Sequence, residues 1–118
     1  FYIALSKLKN LSSPKIVEGC KPCFMSLPFS VKSEKFGALK AIKYLEERGV
    51  ESRPLIAGNL LKHPVCKSIK LESTHEVLKG ANFHHRNSLY VGLSPNHSFE
   101  DIDRLTKVMQ DLDKLIDE

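Results

Sequence analysis

Arg53, Asn59 and His63 are the residues whose types and spacing best suit ligand chemistry, and all three fall in the segment Gly49 to Pro64. A guanidinium presents a rigid fork of donors that matches a carboxylate, a phosphate or an oxygen-rich sugar. Asn59 follows Gly58 in a turn-forming pair, and His63 lies four residues on, the spacing that places two side chains on one helical face. Loops at the ends of strands often carry such groups on a rigid support. The same residues also admit a structural reading. Arg53 then pairs with Glu51 or Glu72, Asn59 serves the turn, and His63 is a surface residue.

A second constellation combines Cys20-x-x-Cys23 with His63-x-x-Cys66, which supplies the residue types of a four-ligand zinc site. Against it, Cys23 is expected to open a strand with its side chain on the apolar face, and Pro22 and Pro64 lie inside the two ligand loops. A redox Cys-x-x-Cys normally opens a helix, whose N-terminus lowers the thiol pKa. A strand is expected here, so free thiols are the better reading. His84 and His85 are expected on an extended approach to a strand, where neighbours point to opposite sides and do not share an ion. The chain carries no phosphate-binding glycine loop, no nucleophile elbow and no matched pair of carboxylates.

The elements that must position these residues follow from periodicity. Helical spacing from Phe1 continues to about Leu11, where Asn10, Ser12, Ser13 and Pro14 break it. Cys23, Met25, Leu27, Phe29 and Val31 alternate with polar or small residues, which predicts a half-buried strand. Pro28 has no N–H to donate, so this strand should be an edge or carry a bulge. Ser33 is a suitable N-cap for a helix over residues 34–48, with Phe36, Leu39, Ile42 and Leu45 as its stripe and Gly49 as its stop. A second strand is expected from Val50 to Ile56, a helical piece up to Pro64, and a short helix from Glu76 to Lys79 with Gly80 near its end. Ser88 to Leu93 predicts a third strand. Ser98 and Asp101 form a capping box for a final helix whose stripe is Ile102, Leu105, Met109, Leu112 and Ile116. The expected fold is a two-layer α/β (α+β-type) domain, a three-stranded sheet with helices packed on one face.

Composition agrees with one globular domain. The chain has 118 residues, 42% of them hydrophobic, and a net charge of +4. Its basic residues are interleaved with acids rather than gathered in one stripe, which argues against nucleic acid as partner. No apolar run approaches the ~20 residues of a membrane span, so no membrane partner is expected and a cytoplasmic location is. Three cysteines suit a reducing compartment. Phe1 and the helical spacing that starts with it suggest a piece of a longer chain.

The stretch from Val50 to Pro64 resembles a segment of the DegT/DnrJ/StrS family of sugar aminotransferases, and within it the branch of pyridoxal phosphate (PLP)-dependent 3-dehydratases of keto-deoxy sugars. In that family a Glu-Thr-Arg-like triplet runs into a Gly-Asn turn and a short helix. Phe24 to Val31, the helix after it, Asn87 to Leu93 and Phe99 to Ile102 resemble the small domain's remaining elements in order. The resemblance implies the C-terminal small domain of a fold-type-I enzyme, with helices on a small sheet. It implies a preceding large domain that holds PLP and the catalytic lysine, or histidine in the dehydratase branch. It also implies a homodimer and a nucleotide-linked 4-keto-6-deoxy sugar as substrate, in polysaccharide (lipopolysaccharide) biosynthesis. Glu51, Arg53, Asn59 and His63 become the candidate substrate contacts, while no residue of this chain becomes the Schiff-base lysine or its substitute. Ser52 stands where relatives commonly have Thr. Gly92, Leu93, Ser94 and Pro95 stand where they often have Gly-Asn-His-Pro, so no role is carried over there. Two rival readings are a small zinc-stabilised interaction module using Cys20, Cys23, His63 and Cys66, and a stand-alone α/β binding domain.

Overall fold

The computed structural model describes residues 1–69 and 78–117. In chain order the elements are α1 (Tyr2–Leu5), β1 (Leu11–Ser12), β2 (Ser26–Val31), α2 (Gly37–Glu46) and β3 (Ser52–Pro54). Two 3-10 turns follow (Leu60–Lys62 and Pro64–Lys67), then α3 (Lys79–Asn87), β4 (Ser88–Gly92) and α4 (Phe99–Asp117). The strands form one antiparallel sheet in the order β1-β2-β4-β3.

Alternation decides which face of the sheet is buried. Leu27, Phe29 and Val31 of β2 and Leu89 and Val91 of β4 point into the core, where they meet Ala38, Ala41 and Leu45 of α2 and Leu105, Met109 and Leu112 of α4. Leu5 and Leu11 close the core at the N-terminal end. On the opposite face, the register sets Arg53 beside Tyr90 and Tyr90 beside Pro28. α4 begins as the capping box predicts: Ser98 Oγ accepts the Asp101 N–H at 3.1 Å, and Asp101 Oδ2 accepts from the Ser98 N–H at 2.9 Å.

Several sequence expectations need correction. The sheet has four strands among the described residues, not three, because the first helix stops at Leu5 and Leu11–Ser12 pairs with β2. The cause is tertiary. Asp113 of α4 accepts the backbone N–H groups of Lys9 and Asn10 at 3.2 and 2.7 Å, and Asn10 Nδ2 donates to the Asp113 carbonyl at 3.0 Å. Those amides are thereby taken from any helix. β2 begins at Ser26 rather than Cys23; Cys23 is exposed, and so is Met25, at 83%.

β2 is also interior to the sheet, although Pro28 was expected to mark an edge strand or a bulge. The Met25 carbonyl accepts from Leu93, and the Lys32 N–H donates to Asn10, so even-numbered residues of β2 face β1. β1 ends at Ser12, opposite Ser30, and extending the register would place Pro14 opposite Pro28. The missing donor therefore faces a stretch where the ladder has already stopped.

α2 starts at Gly37, and its core side is Ala38, Ala41 and Leu45. Leu39 is 76% exposed, whereas Phe36 and Ile42 are half-buried. Ser33 does cap, but the N–H groups it accepts from are Lys35 and Phe36, in the turn before the helix. The strand expected from Val50 to Ile56 shortens to Ser52–Pro54, since Ile56 adopts φ 29° and Gly58 φ 56° to turn the chain. α3 runs from Lys79 to Asn87, so Gly80, His84 and His85 are helical rather than a helix end and an extended loop. The expected helix at residues 76–77 lies outside the described residues.

The exposure of Leu39 against the burial of Leu112 gives a direct test. Leu112→Ala should lower the stability by about 2–5 kcal/mol through lost burial and a residual cavity. Leu39→Ala should stay within about 0.5 kcal/mol. Urea denaturation followed by circular dichroism reads both.

Candidate functional site

Glu51 and Arg53 lie on one wall of a groove of about 530 Å³, where the chain leading into β3 diverges from the end of β4. Tyr90 and Leu93 line it from β4 and the residue after it, and His97, Asp101 and Arg104 come from the following loop and the first turns of α4. Gly49 shapes one end. Its φ of 72° completes the stop of α2, and a Cβ there would lie 3.0 Å from Arg104 Nη2. That nitrogen donates to the Arg48 carbonyl at 2.9 Å, tying α4 to the end of α2.

The charges at this groove are mostly matched from within. Arg53 Nη2 donates to Glu51 Oε1 at 2.7 Å, and that carboxylate raises the guanidinium pKa above its ordinary value. Both side chains are largely exposed, so the pair is easily exchanged for an incoming anion. Asp101 is held below the usual carboxylate range, chiefly by the Ser98 backbone N–H and then by the Ser98 hydroxyl. Its carboxylate serves the helix cap rather than the groove. The described residues show no carboxylate within 4.0 Å of Arg104.

Asn59 and His63 do not line this groove. Asn59 is only 5% exposed and its groups are engaged. Its Oδ1 accepts the Leu61 N–H at 3.0 Å, capping the first 3-10 turn, and its Nδ2 donates to Asn82 Oδ1 at 2.9 Å. Its backbone N–H donates to His85 Nδ1 at 3.2 Å. Gly58 makes this approach possible, because a Cβ there would lie 2.5 Å from His85 Nδ1. His63 Nε2 is 2.6 Å from the Ala57 carbonyl. The sequence-derived residues thus divide into an exposed pair at the groove, Glu51 and Arg53, and an internally bonded turn, Asn59 and His63, docked on α3.

Tyr90, His97 and Arg104 at the groove, and Asn82 and His85 beneath the turn, were not singled out for these places from the sequence. Alternation in Ser88 to Leu93 already marks Tyr90 as facing away from the core; only the register sets it beside Arg53. For His97, Arg104, Asn82 and His85 the sequence carries no comparable signal.

The zinc reading is not supported. Among the described residues no group of three or more His, Cys, Asp and Glu side chains could hold a metal, and Cys20 and Cys23 are exposed. Every lysine whose side chain is described is exposed, whereas a Schiff-base lysine is activated by desolvation. Among the described residues no helix is long and apolar enough to cross a membrane.

No family model and no curated protein matches the sequence. Solved structures do. The E. coli GDP-4-keto-6-deoxy-D-mannose-3-dehydratase with bound hydrated PLP is 25% identical, with a TM-score of 0.75 over 91% of this chain. GDP-4-keto-6-deoxymannose-3-dehydratase with a trapped PLP-glutamate geminal diamine is 24% identical, with a TM-score of 0.75 over 91%. A ColD mutant of the same enzyme with bound GDP-perosamine is 24% identical, with a TM-score of 0.76 over 91%. The chain has the fold of a segment of these dehydratases. It spans only 27–28% of their length. At the level of fold, the resemblance drawn from Val50 to Pro64 and the structure agree.

Gly58→Ala should destabilise the chain by more than about 1 kcal/mol, since the new methyl meets His85 and the backbone is left-handed. Gly80→Ala, a helical position with nothing within 4 Å, should stabilise it by about 0.5–1 kcal/mol. Thermal melts of the two variants decide this. The Asp101 cap carries a pH signature as well. Because its folded pKa is depressed, its contribution is present above the unfolded value of about 3.9 and lost as pH falls through the folded one. The difference in melting temperature between wild type and Asp101→Ala should therefore be greatest near neutral pH and shrink in acid.

Proposed function

We propose that the chain is the C-terminal small domain of a PLP-dependent enzyme that acts on a nucleotide-linked 4-keto-6-deoxy sugar. The observation that carries this reading is the likeness in fold over 91–92% of the chain to GDP-4-keto-6-deoxymannose-3-dehydratase. The Val50 to Pro64 motif adds independent support from sequence. Deoxygenation at the sugar's 3-position is favoured over transamination because the neighbours are dehydratases. The pathway would be polysaccharide biosynthesis in the cytoplasm.

In this reading PLP is held by a large domain outside these residues, in a homodimer, and the small domain binds and encloses the substrate. Arg53 and Glu51 are suited to such binding. An exposed pair at a groove can open to let the guanidinium bind a phosphate or a sugar oxygen while the carboxylate accepts from a sugar hydroxyl. Asn59 and His63 contribute through the shape of the turn and through whatever donor capacity their internal bonds leave. Tyr90, beside Arg53 on the same sheet face, offers a ring and a hydroxyl to the same ligand. Ile56, Leu60 and Val65 are exposed along the intervening segment. An exposed apolar run of this kind suits a surface that is covered in a larger assembly.

The test is an assay of the full-length protein that carries this chain, supplied with PLP and a GDP-linked 4-keto-6-deoxy sugar. A 3-deoxy product supports dehydration, an amino sugar supports transamination, and no turnover on nucleotide sugars of this class overturns the reading. Within that protein Arg53→Ala should raise KM about tenfold or more, the effect of losing a charge-assisted hydrogen bond. An unchanged KM would remove Arg53 from the substrate contacts.

A further inference from the structure

We infer that His85 is a positioning residue that latches the Gly58–Asn59 turn onto α3, and that the latch holds only while its Nδ1 is unprotonated. The group that meets Nδ1 is the backbone N–H of Asn59, at 3.2 Å. A backbone N–H can only donate, so Nδ1 must accept, and the ring's own N–H is on Nε2. Once the imidazole takes up a second proton, two donors face each other and the bond is lost. Histidine is the side chain that changes charge between pH 5 and 8, and His85 is exposed enough to exchange protons with solvent.

The surroundings are built for this contact. Gly58 packs on the ring so closely that a Cβ would displace it, and Asn82, three residues earlier in α3, takes the Asn59 side chain at 2.9 Å. The His63 ring stands edge-on to His85 with centroids 6.4 Å apart. Among the described residues the titratable group facing His85 from a packed element is His63; His84 and Arg86 adjoin it in the helix but, one residue away, do not face it. Among the described residues no carboxylate forms an ion pair with it. A cationic His85 would meet no paired carboxylate among the described residues, and the turn that caps Leu60–Lys62 would lose the Asn59–His85 hydrogen bond and keep the Asn59–Asn82 one. The consequence for substrate contact rests on the reading proposed above for Asn59 and His63; the latch itself does not.

Amide hydrogen exchange followed by NMR, expressed as protection factors, tests the latch on the 118-residue chain without substrate. At pH 8 the Asn59 amide should be about tenfold better protected in wild type than in His85→Ala. At pH 5 the wild-type value should approach that of the variant. His85→Asn, whose amide oxygen can replace the Nδ1 acceptor but does not titrate, should keep the protection at both pH values. The Leu89 and Val91 amides of β4 serve as the fold control. Equal protection in His85→Ala and wild type at pH 8, no change in wild type between pH 8 and 5, or a pH dependence retained in His85→Asn would each overturn the proposal. So would loss of protection at Leu89 and Val91 in step with Asn59, which would mark global unfolding in place of a local latch.

Discussion

The antiparallel pairing of β2 with β4 is the interaction on which the other features depend. It joins residues from Ser26 with Gly92 to Ser30 with Ser88, far apart in the chain, and runs through the middle of the sheet. It places Leu27 and Phe29 beside Val91 and Leu89 on one face, giving α2 and α4 a common apolar surface to cover. On the other face Ser30 and Ser88 meet with their hydroxyls 2.7 Å apart, and His84 Nδ1 lies 2.7 Å from Ser88 Oγ. Among the described residues β4 is the strand that β3 pairs with, and α3 leads directly into β4. Arg53, on β3, and the turn docked on α3 are therefore both carried by elements that join this ladder through β4. Such non-local pairings form late and at an entropic cost, so both sites depend on completion of the fold.

The two sites differ in what their polar groups are free to do. At the groove the Glu51–Arg53 pair is exposed, held by an interaction that solvent weakens and an incoming anion can replace. At the turn, Asn59 is buried and bonded on three sides, and His63 is tied back to Ala57. Buried hydrogen bonds of that kind fix the course of a backbone more than they hold a ligand. A loop that must meet a substrate in a larger protein gains from such pre-organisation, since less ordering remains to be done on binding.

Where local patterning and burial coincide, the sequence was a sufficient guide. The capping box at Ser98 and Asp101, the stripe from Leu105 to Leu112, the inward alternation of Leu27, Phe29 and Val31, and the stop at Gly49 are each decided by residues within a turn or two of one another. The α+β class and the likeness to a sugar dehydratase segment followed from those patterns together with the Val50 to Pro64 motif. The expectation failed where a distant group intervened. Asp113 took the amides of Lys9 and Asn10 and ended the first helix. α3 formed despite Gly80 and two adjacent histidines, where packing against α2, β2 and β4 outweighs weak intrinsic propensity.

The sequence by itself named Arg53, Asn59 and His63 as candidates, with Glu51 added by the family resemblance, and it marked the apolar faces of β2, β4 and α4, because residue type and short-range spacing are local properties. Only the tertiary structure decided that Arg53, paired with Glu51, stands exposed at a groove beside Tyr90 while Asn59 is consumed by Asn82 and His85. That division depends on strand register and on which buried donor meets which acceptor, and both are set by residues that lie far apart along the chain.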